Sequence, residues 1–215
     1  MSTVSLIAFQ LITLLFSVII HEVAHGLMAL RLGDPTAKAL GRLTLNPLRH
    51  IDPMGSVILP LLLVAFQSPI LIGWARPVPY NPRNLRDPKK GAALIGIAGP
   101  VSNIIIAIVF GLILRLAMLF FSGAAFVSFI LLVNIVVFIN ILLAIFNLVP
   151  IPPLDGSKVL FALLPYRYRA VEDFLTRYGF IILILFIFSP LFDLLLGPAI
   201  FGIHRLIVGG GGLPL

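Results

Sequence analysis

The chain has 215 residues, of which 60% are hydrophobic and 11% charged, and its mean hydropathy is +1.15. About half apolar usage is ordinary for a soluble domain, so this composition excludes a simple soluble fold and points to a polytopic membrane protein. The net charge of +7 does not indicate nucleic acid, because the basic residues lie in loops beside apolar runs, the positive-inside signature; the absence of cysteine excludes disulfides and thiolate ligands.

The first apolar run is Val4 to Leu30. It is preceded by no basic region and followed by no small-residue cleavage site, so it is expected to be retained as a span. Residues 31–53 are polar and rich in turn formers, and Arg42 to Asn46 alternates polar with apolar as a short strand does. Met54 to Gly73 is apolar but interrupted by Pro60 and Pro69. Residues 74–90 are basic, proline-rich and extended. Two strong spans follow, Gly91 to Phe121 and Ala124 to Val149. A polar stretch from Pro150 to Tyr178 contains a short helical piece, and the last span is expected over Phe180 to Leu196, with Pro190 inside it. The glycines at 209–212 mark a flexible tail, 209–215, after a single domain of residues 1–208. The expected fold is an all-α polytopic membrane protein of about four transmembrane helices, with a broken or re-entrant hydrophobic segment and a small β-hairpin element.

Charge sets the expected topology. Arg31, Lys38, Arg42 and Arg49 share one loop; Arg76, Arg83, Arg86, Lys89 and Lys90 share the next; Lys158, Arg167, Arg169 and Arg177 share a third. If 54–73 crossed the bilayer, the first two loops would face opposite sides. If it dips in and returns, all three loops are cytoplasmic, which satisfies the charge rule and suits a segment broken by two prolines. The N-terminus is then outside, in a multi-pass protein of the cell membrane.

Near the end of the first span stands His21-Glu22-Val23-Ala24-His25, an HExxH motif. Residues four apart share a helix face, so two imidazoles can hold one zinc ion while Glu22 stands beside them to take a proton from water that the ion polarises. Seventeen residues separate Val4 from His21, about 25 Å of helix at about 1.5 Å per residue, which places the pair within the bilayer toward its cytoplasmic face. Ionisable groups at that depth cost about 2.5–3.5 kcal/mol each on insertion scales, which favours the metal reading over chance. A catalytic zinc takes three protein ligands and keeps one position open. Asp155, after Pro150, Pro152 and Pro153, is a candidate for the third; a helix N-cap is the competing reading of the same residue, and spacing alone does not separate them.

Together, HExxH in the first span and the distal "NLVPIPPLDG" resemble the site-2 protease family of intramembrane zinc metalloproteases. The strings "RLGDPTAKALGRLTLNP", "GWARPVPYNPRNLR" and "GIAGPVSN" occur in the order found in its compact prokaryotic branch, and the likeness covers roughly residues 15–165. The resemblance implies His21, His25 and Asp155 as ligands of one zinc ion per chain, Glu22 as general base, and Asn147 as a donor to the oxyanion. It implies hydrolysis of peptide bonds in transmembrane protein or peptide substrates, with the lipid bilayer as the working environment. Asn147 as interhelical glue is the bland alternative. Gly96 and Gly99 are expected to allow close helix approach, and Asn103 to serve as packing glue or to support a ligand. Asp34, Asp52 and Asp87, each before a proline, read as turn formers, His50 as a loop residue, and Arg115 as a snorkelling residue. The rival functions are a polytopic metal transporter or channel, and an inactive homologue that binds membrane helices.

Overall fold

The computed structural model describes residues 2–52, 54, 58, 62, 65, 66 and 76–209. Among these the chain is all-helical. The principal helices are α1 (Thr3–Arg31), α2 (Thr36–Ala39), α3 (Pro88–Phe120), α4 (Ala124–Asn147), α5 (Asp155–Leu163), α6 (Arg169–Ile187) and α7 (Pro190–Val208). Four are long and apolar enough to cross a membrane: α1, α3, α7 and α4 over Phe126–Asn147. The protein is a membrane protein with several candidate transmembrane helices.

The helix ends follow local chemistry. Ser2 caps α1 by accepting from the Ser5 N–H, and Asp87 caps α3 by accepting from the Lys89 and Lys90 N–H groups, with Pro88 at the first helical position. Pro190 likewise opens α7. The span expected over Phe180 to Leu196 is therefore not one helix. The chain turns at Phe188–Ser189, and the crossing-length helix is Pro190–Val208. A proline at the first helical position sacrifices no helical hydrogen bond, whereas one inside the expected span would.

Burial along α1 is inverted relative to a soluble helix. Thr13, Ser17, His21 and His25 are buried, while Val4, Ile7, Leu11 and Ile12 are exposed. That arrangement is stable only where the surroundings are as apolar as those side chains. The main apolar core joins α3, α4, α6 and α7 through Ala107, Leu114, Val137, Ile141, Leu183, Leu196 and Ile200. Arg115 donates through Nη2 to the Leu206 carbonyl, and Gly111 lies against Ile207. These pairs set Gly111 and Arg115 of α3 against the last turn of α7. The Arg115 side chain thus meets a carbonyl in the last turn of α7.

No strand occurs among the described residues. The strand expected over Arg42 to Asn46 is replaced by locally bonded turns: the Asn46 N–H donates to Thr44 Oγ1, and Asn46 Oδ1 accepts from the Leu48 N–H. Side chains that bond nearby backbone compete with ladder pairing. Residues 76–80 are extended, tied to the first loop by the Arg76 N–H donating to the His50 carbonyl at 2.8 Å. Pro77 and Pro79 remove every second donor from this stretch. Most of the segment expected to re-enter the membrane, 54–73, and residues 210–215 of the expected tail lie outside the described residues.

Candidate metal centre

Two turns from the end of α1, His21 and His25 face α3 with ring centroids 4.6 Å apart and planes at 89°. Both are buried. The fold brings Asp155 to them across 134 residues: its Oδ2 lies 3.0 Å from His21 Nε2 and 3.0 Å from His25 Nε2. The reversal after α4 makes this possible. Pro150, Pro152 and Pro153 cannot donate to a continuing helix, and Gly156 then seats so closely on the preceding turn that an added Cβ would fall 2.2 Å from the Leu148 carbonyl oxygen. Asp155 is the first residue of α5, behind Leu154 at the cap position, and makes no capping bond. Its carboxylate is turned to the imidazoles instead.

The tautomers follow from the hydrogen bonds. The Asn140 amide nitrogen donates to Ser17 Oγ and to the Val136 carbonyl, each at 2.9 Å. Its oxygen therefore faces Asn103, whose amide nitrogen donates to it at 2.8 Å and to the Ser17 carbonyl at 3.3 Å. That leaves Asn103 Oδ1 to accept from His21 Nδ1 at 2.6 Å. His25 Nδ1 donates to the Ile95 carbonyl at 2.6 Å. With both Nδ1 atoms protonated, the Nε2 lone pairs of the neutral imidazoles point at a carboxylate oxygen. Three electron-rich atoms converging in a buried place repel one another unless a cation lies between them, and two imidazoles with one carboxylate are a zinc donor set. The residues present fit the metal.

Glu22 stands beside the pair: one ligand atom from each of His21, Glu22 and His25 lies within 4.8 Å of the others. Glu22 Oε2 accepts from the Val78 N–H at 2.7 Å. Val78 also packs on α1 at Gly26, where a Cβ would meet its Cγ1 at 2.8 Å. Buried Arg42 is nearby; burial first and Arg76 second push its pKa down, while Glu22 opposes them. Asn147 ends α4, its amide nitrogen donating to the Leu143 carbonyl of the same helix at 2.9 Å.

The structure gives several of the flagged residues contacts that the sequence does not specify. Gly99 lies against the imidazoles rather than merely between helices: a Cβ there would stand 2.5 Å from His21 Nε2 and 2.6 Å from His25 Cε1. Asn103 orients the His21 imidazole, backed by Asn140 and Ser17. A polar side chain in an apolar span is the signal that finds these residues. Asp34 is more than a turn former. Fully buried, it accepts from the Thr36 N–H and hydroxyl, the Asn81 N–H at 2.7 Å and the Asn84 amide at 2.7 Å, tying the end of α1 to the segment that carries Val78. His50 bonds the Thr44 carbonyl and His204 bonds Asn134, both away from Asp155.

A model of peptidase family M50 matches residues 115–186. The chain is similar to YwhC of Bacillus subtilis (strain 168), 40% identical over 197 residues that cover 90% of this chain and 86% of that protein. It is similar to Rip2 of Mycolicibacterium smegmatis, 31% identical over 185 residues covering 82% and 65%. A third relative is the zinc metalloprotease MJ0392 of Methanocaldococcus jannaschii, 27% identical over 162 residues, 75% of this chain and 36% of that one. No solved structure matches. A chain that carries the His21-Glu22-His25 cluster on a membrane helix and shares two fifths of its residues with YwhC over most of both lengths belongs to peptidase family M50, the site-2 protease family of zinc metalloproteases.

Proposed function

We propose that this zinc metalloprotease hydrolyses peptide bonds of transmembrane segments, with one zinc ion held by His21, His25 and Asp155 and with Glu22 as general base. The observation that carries the reading is the single carboxylate oxygen set 3.0 Å from both Nε2 atoms, with Glu22 alongside. When bound, zinc acts as a Lewis acid and lowers the pKa of a water to about 7.

The remaining work belongs to the protein. Glu22 Oε2 is engaged by the Val78 N–H, which leaves Oε1 to accept the proton from the attacking water and return it to the leaving amine. Asn103 and the Ile95 carbonyl hold the two rings by their Nδ1–H groups, a restraint that both fixes orientation and raises ligand basicity. Asn147 is the candidate donor to the oxyanion; rotation of its amide away from the Leu143 carbonyl would free the nitrogen for that role. The three basic loops favour an outside N-terminus and a metal centre toward the cytoplasmic face.

The test uses purified protein in detergent or liposomes, with bound zinc measured and cleavage of transmembrane peptides followed for wild type beside Glu22→Gln. Zinc retention in both with cleavage only by wild type supports the reading. Equal cleavage by Glu22→Gln removes the general-base assignment; metal flux without cleavage would favour a transporter, and zinc binding with neither would favour an inactive helix binder.

A further inference from the structure

The two oxygens of Asp155 have different partners. Oδ2 faces both histidines, whereas Oδ1 accepts from Lys158 Nζ at 2.8 Å. Lys158 lies one turn further along α5, and its side chain is 30% exposed against 9% for the aspartate. Its stem is held in place by α3: a Cβ at Gly96 would lie 3.2 Å from Lys158 Cβ and Cδ and 3.0 Å from the Asp155 carbonyl oxygen. The ammonium also lies 6.0 Å from the centre of the Tyr80 ring. Lys158 lines a groove of about 760 Å3 together with Tyr80, Phe161 and Arg169, and from there its head reaches inward to the carboxylate.

We propose that Lys158 is a positioning residue that reserves Oδ1 of Asp155 and so leaves Oδ2 alone to face the imidazole pair. The proposal rests on the reading of His21, His25 and Asp155 as zinc ligands. A catalytic zinc needs an open position beside its three protein ligands, and a carboxylate free to present both oxygens competes for that position. A cation on the outer oxygen also withdraws charge from the ligand, so the carboxylate grips the metal less firmly and leaves it more electrophilic. Loss of the ammonium therefore changes two observables in opposite senses: metal is held more tightly while turnover slows. A merely structural lysine would loosen the metal and slow turnover together.

The experiment compares wild type, Lys158→Met, Lys158→Gln and Lys158→Arg as full chains in detergent. Zinc transfer to a chelator is timed, and kcat and KM are measured on a transmembrane peptide. Lys158→Met keeps the stem against Gly96; it is expected to lose about tenfold in kcat at unchanged KM, the low end of the effect of removing an outer partner of a ligand, and to release zinc about tenfold more slowly, the opposite of the usual loss of affinity, because the partner removed here is a cation that draws charge from the carboxylate. Lys158→Gln gives the same pair of changes if the methionine variant does not fold. Lys158→Arg restores both, and cobalt(II)-loaded Lys158→Met shows weaker d–d absorption than wild type, as an added ligand oxygen requires. Zinc release at or above the wild-type rate in the neutral variants overturns the proposal, as does slower release with unchanged kcat. Wild type that retains no zinc defeats the ligand assignment itself and this proposal with it, whereas zinc-loaded wild type beside indistinguishable Lys158 variants defeats only the role of Lys158.

Discussion

One methyl group at Gly99 separates helix stability from metal binding. Carbon atoms in optimal contact lie ~3.5–4.0 Å apart, yet the alanine Cβ would stand 2.6 Å from Cε1 of His21 and 2.6 Å from Cε1 of His25. Relief requires displacement of about 1 Å. The rings cannot yield freely, because His21 is bonded to Asn103 and His25 to the Ile95 carbonyl, both at 2.6 Å. A displacement of that size at a reacting centre costs about 100-fold in rate. The same change favours the helix, since alanine exceeds glycine by about 0.8–1 kcal/mol in a helix interior. Gly99→Ala should therefore retain its helical circular dichroism while peptide cleavage falls about 100-fold and bound zinc, measured by elemental analysis after dialysis, drops well below wild type. Full zinc occupancy with cleavage within about twofold of wild type would refute the reasoning, because it would mean that the imidazoles are not pinned where their Nδ1 bonds place them.

Glu22→Gln should keep zinc and abolish cleavage, read by zinc content and peptide hydrolysis on the same sample. Asp155→Ala should retain both imidazoles yet lose zinc during dialysis; unchanged stoichiometry would remove the carboxylate from the ligand set. Asn103→Leu takes away the acceptor for His21 Nδ1 and should reduce zinc affinity or activity by about 10–100-fold, with Asn140→Leu acting in the same direction through Asn103. For Asp34, burial would raise the carboxyl pKa, but the hydrogen bonds from Thr36, Asn84 and Asn81 outweigh it and hold the folded value below the ordinary 3.8. Ionised Asp34 thus adds stability that is complete above about pH 4 and is lost as pH falls through the depressed folded value. Asp34→Asn should lower the thermal midpoint at neutral pH, each charge-assisted bond contributing about 1.5–3 kcal/mol, and should converge on wild type in strong acid; an equal deficit at every pH would show that the charge is irrelevant.

The spans at α1, α3 and α4 were legible because bilayer thickness imposes long apolar runs, and the HExxH spacing alone put both imidazoles on one helix face. Asp155 was only half legible: prolines and a glycine announced a reversal, but not that it returns the carboxylate to α1. The error over Phe180 to Leu196 has a simple origin, since Pro190 both interrupts one apolar run and starts another helix, and hydropathy does not register the difference. Arg42 to Asn46 alternates like a strand, yet Thr44 and Asn46 satisfy nearby backbone first. Gly99 and Asn103 were visible as residue types, but whether a small or polar side chain in a span faces another helix or a ligand is settled only by packing.

The separation of 134 residues between His21 and Asp155 has a consequence for biogenesis. During synthesis the first helix exposes its imidazoles long before the carboxylate has been translated, and Asn103 and Asn140, which orient one of them, arrive in between. A nascent or prematurely terminated product therefore carries only the imidazole part of the proposed chelating centre. Competence to cut peptides would arise only once the late reversal has docked, so the order of translation itself would withhold hydrolytic power from unfinished copies lodged among other newly inserted membrane proteins.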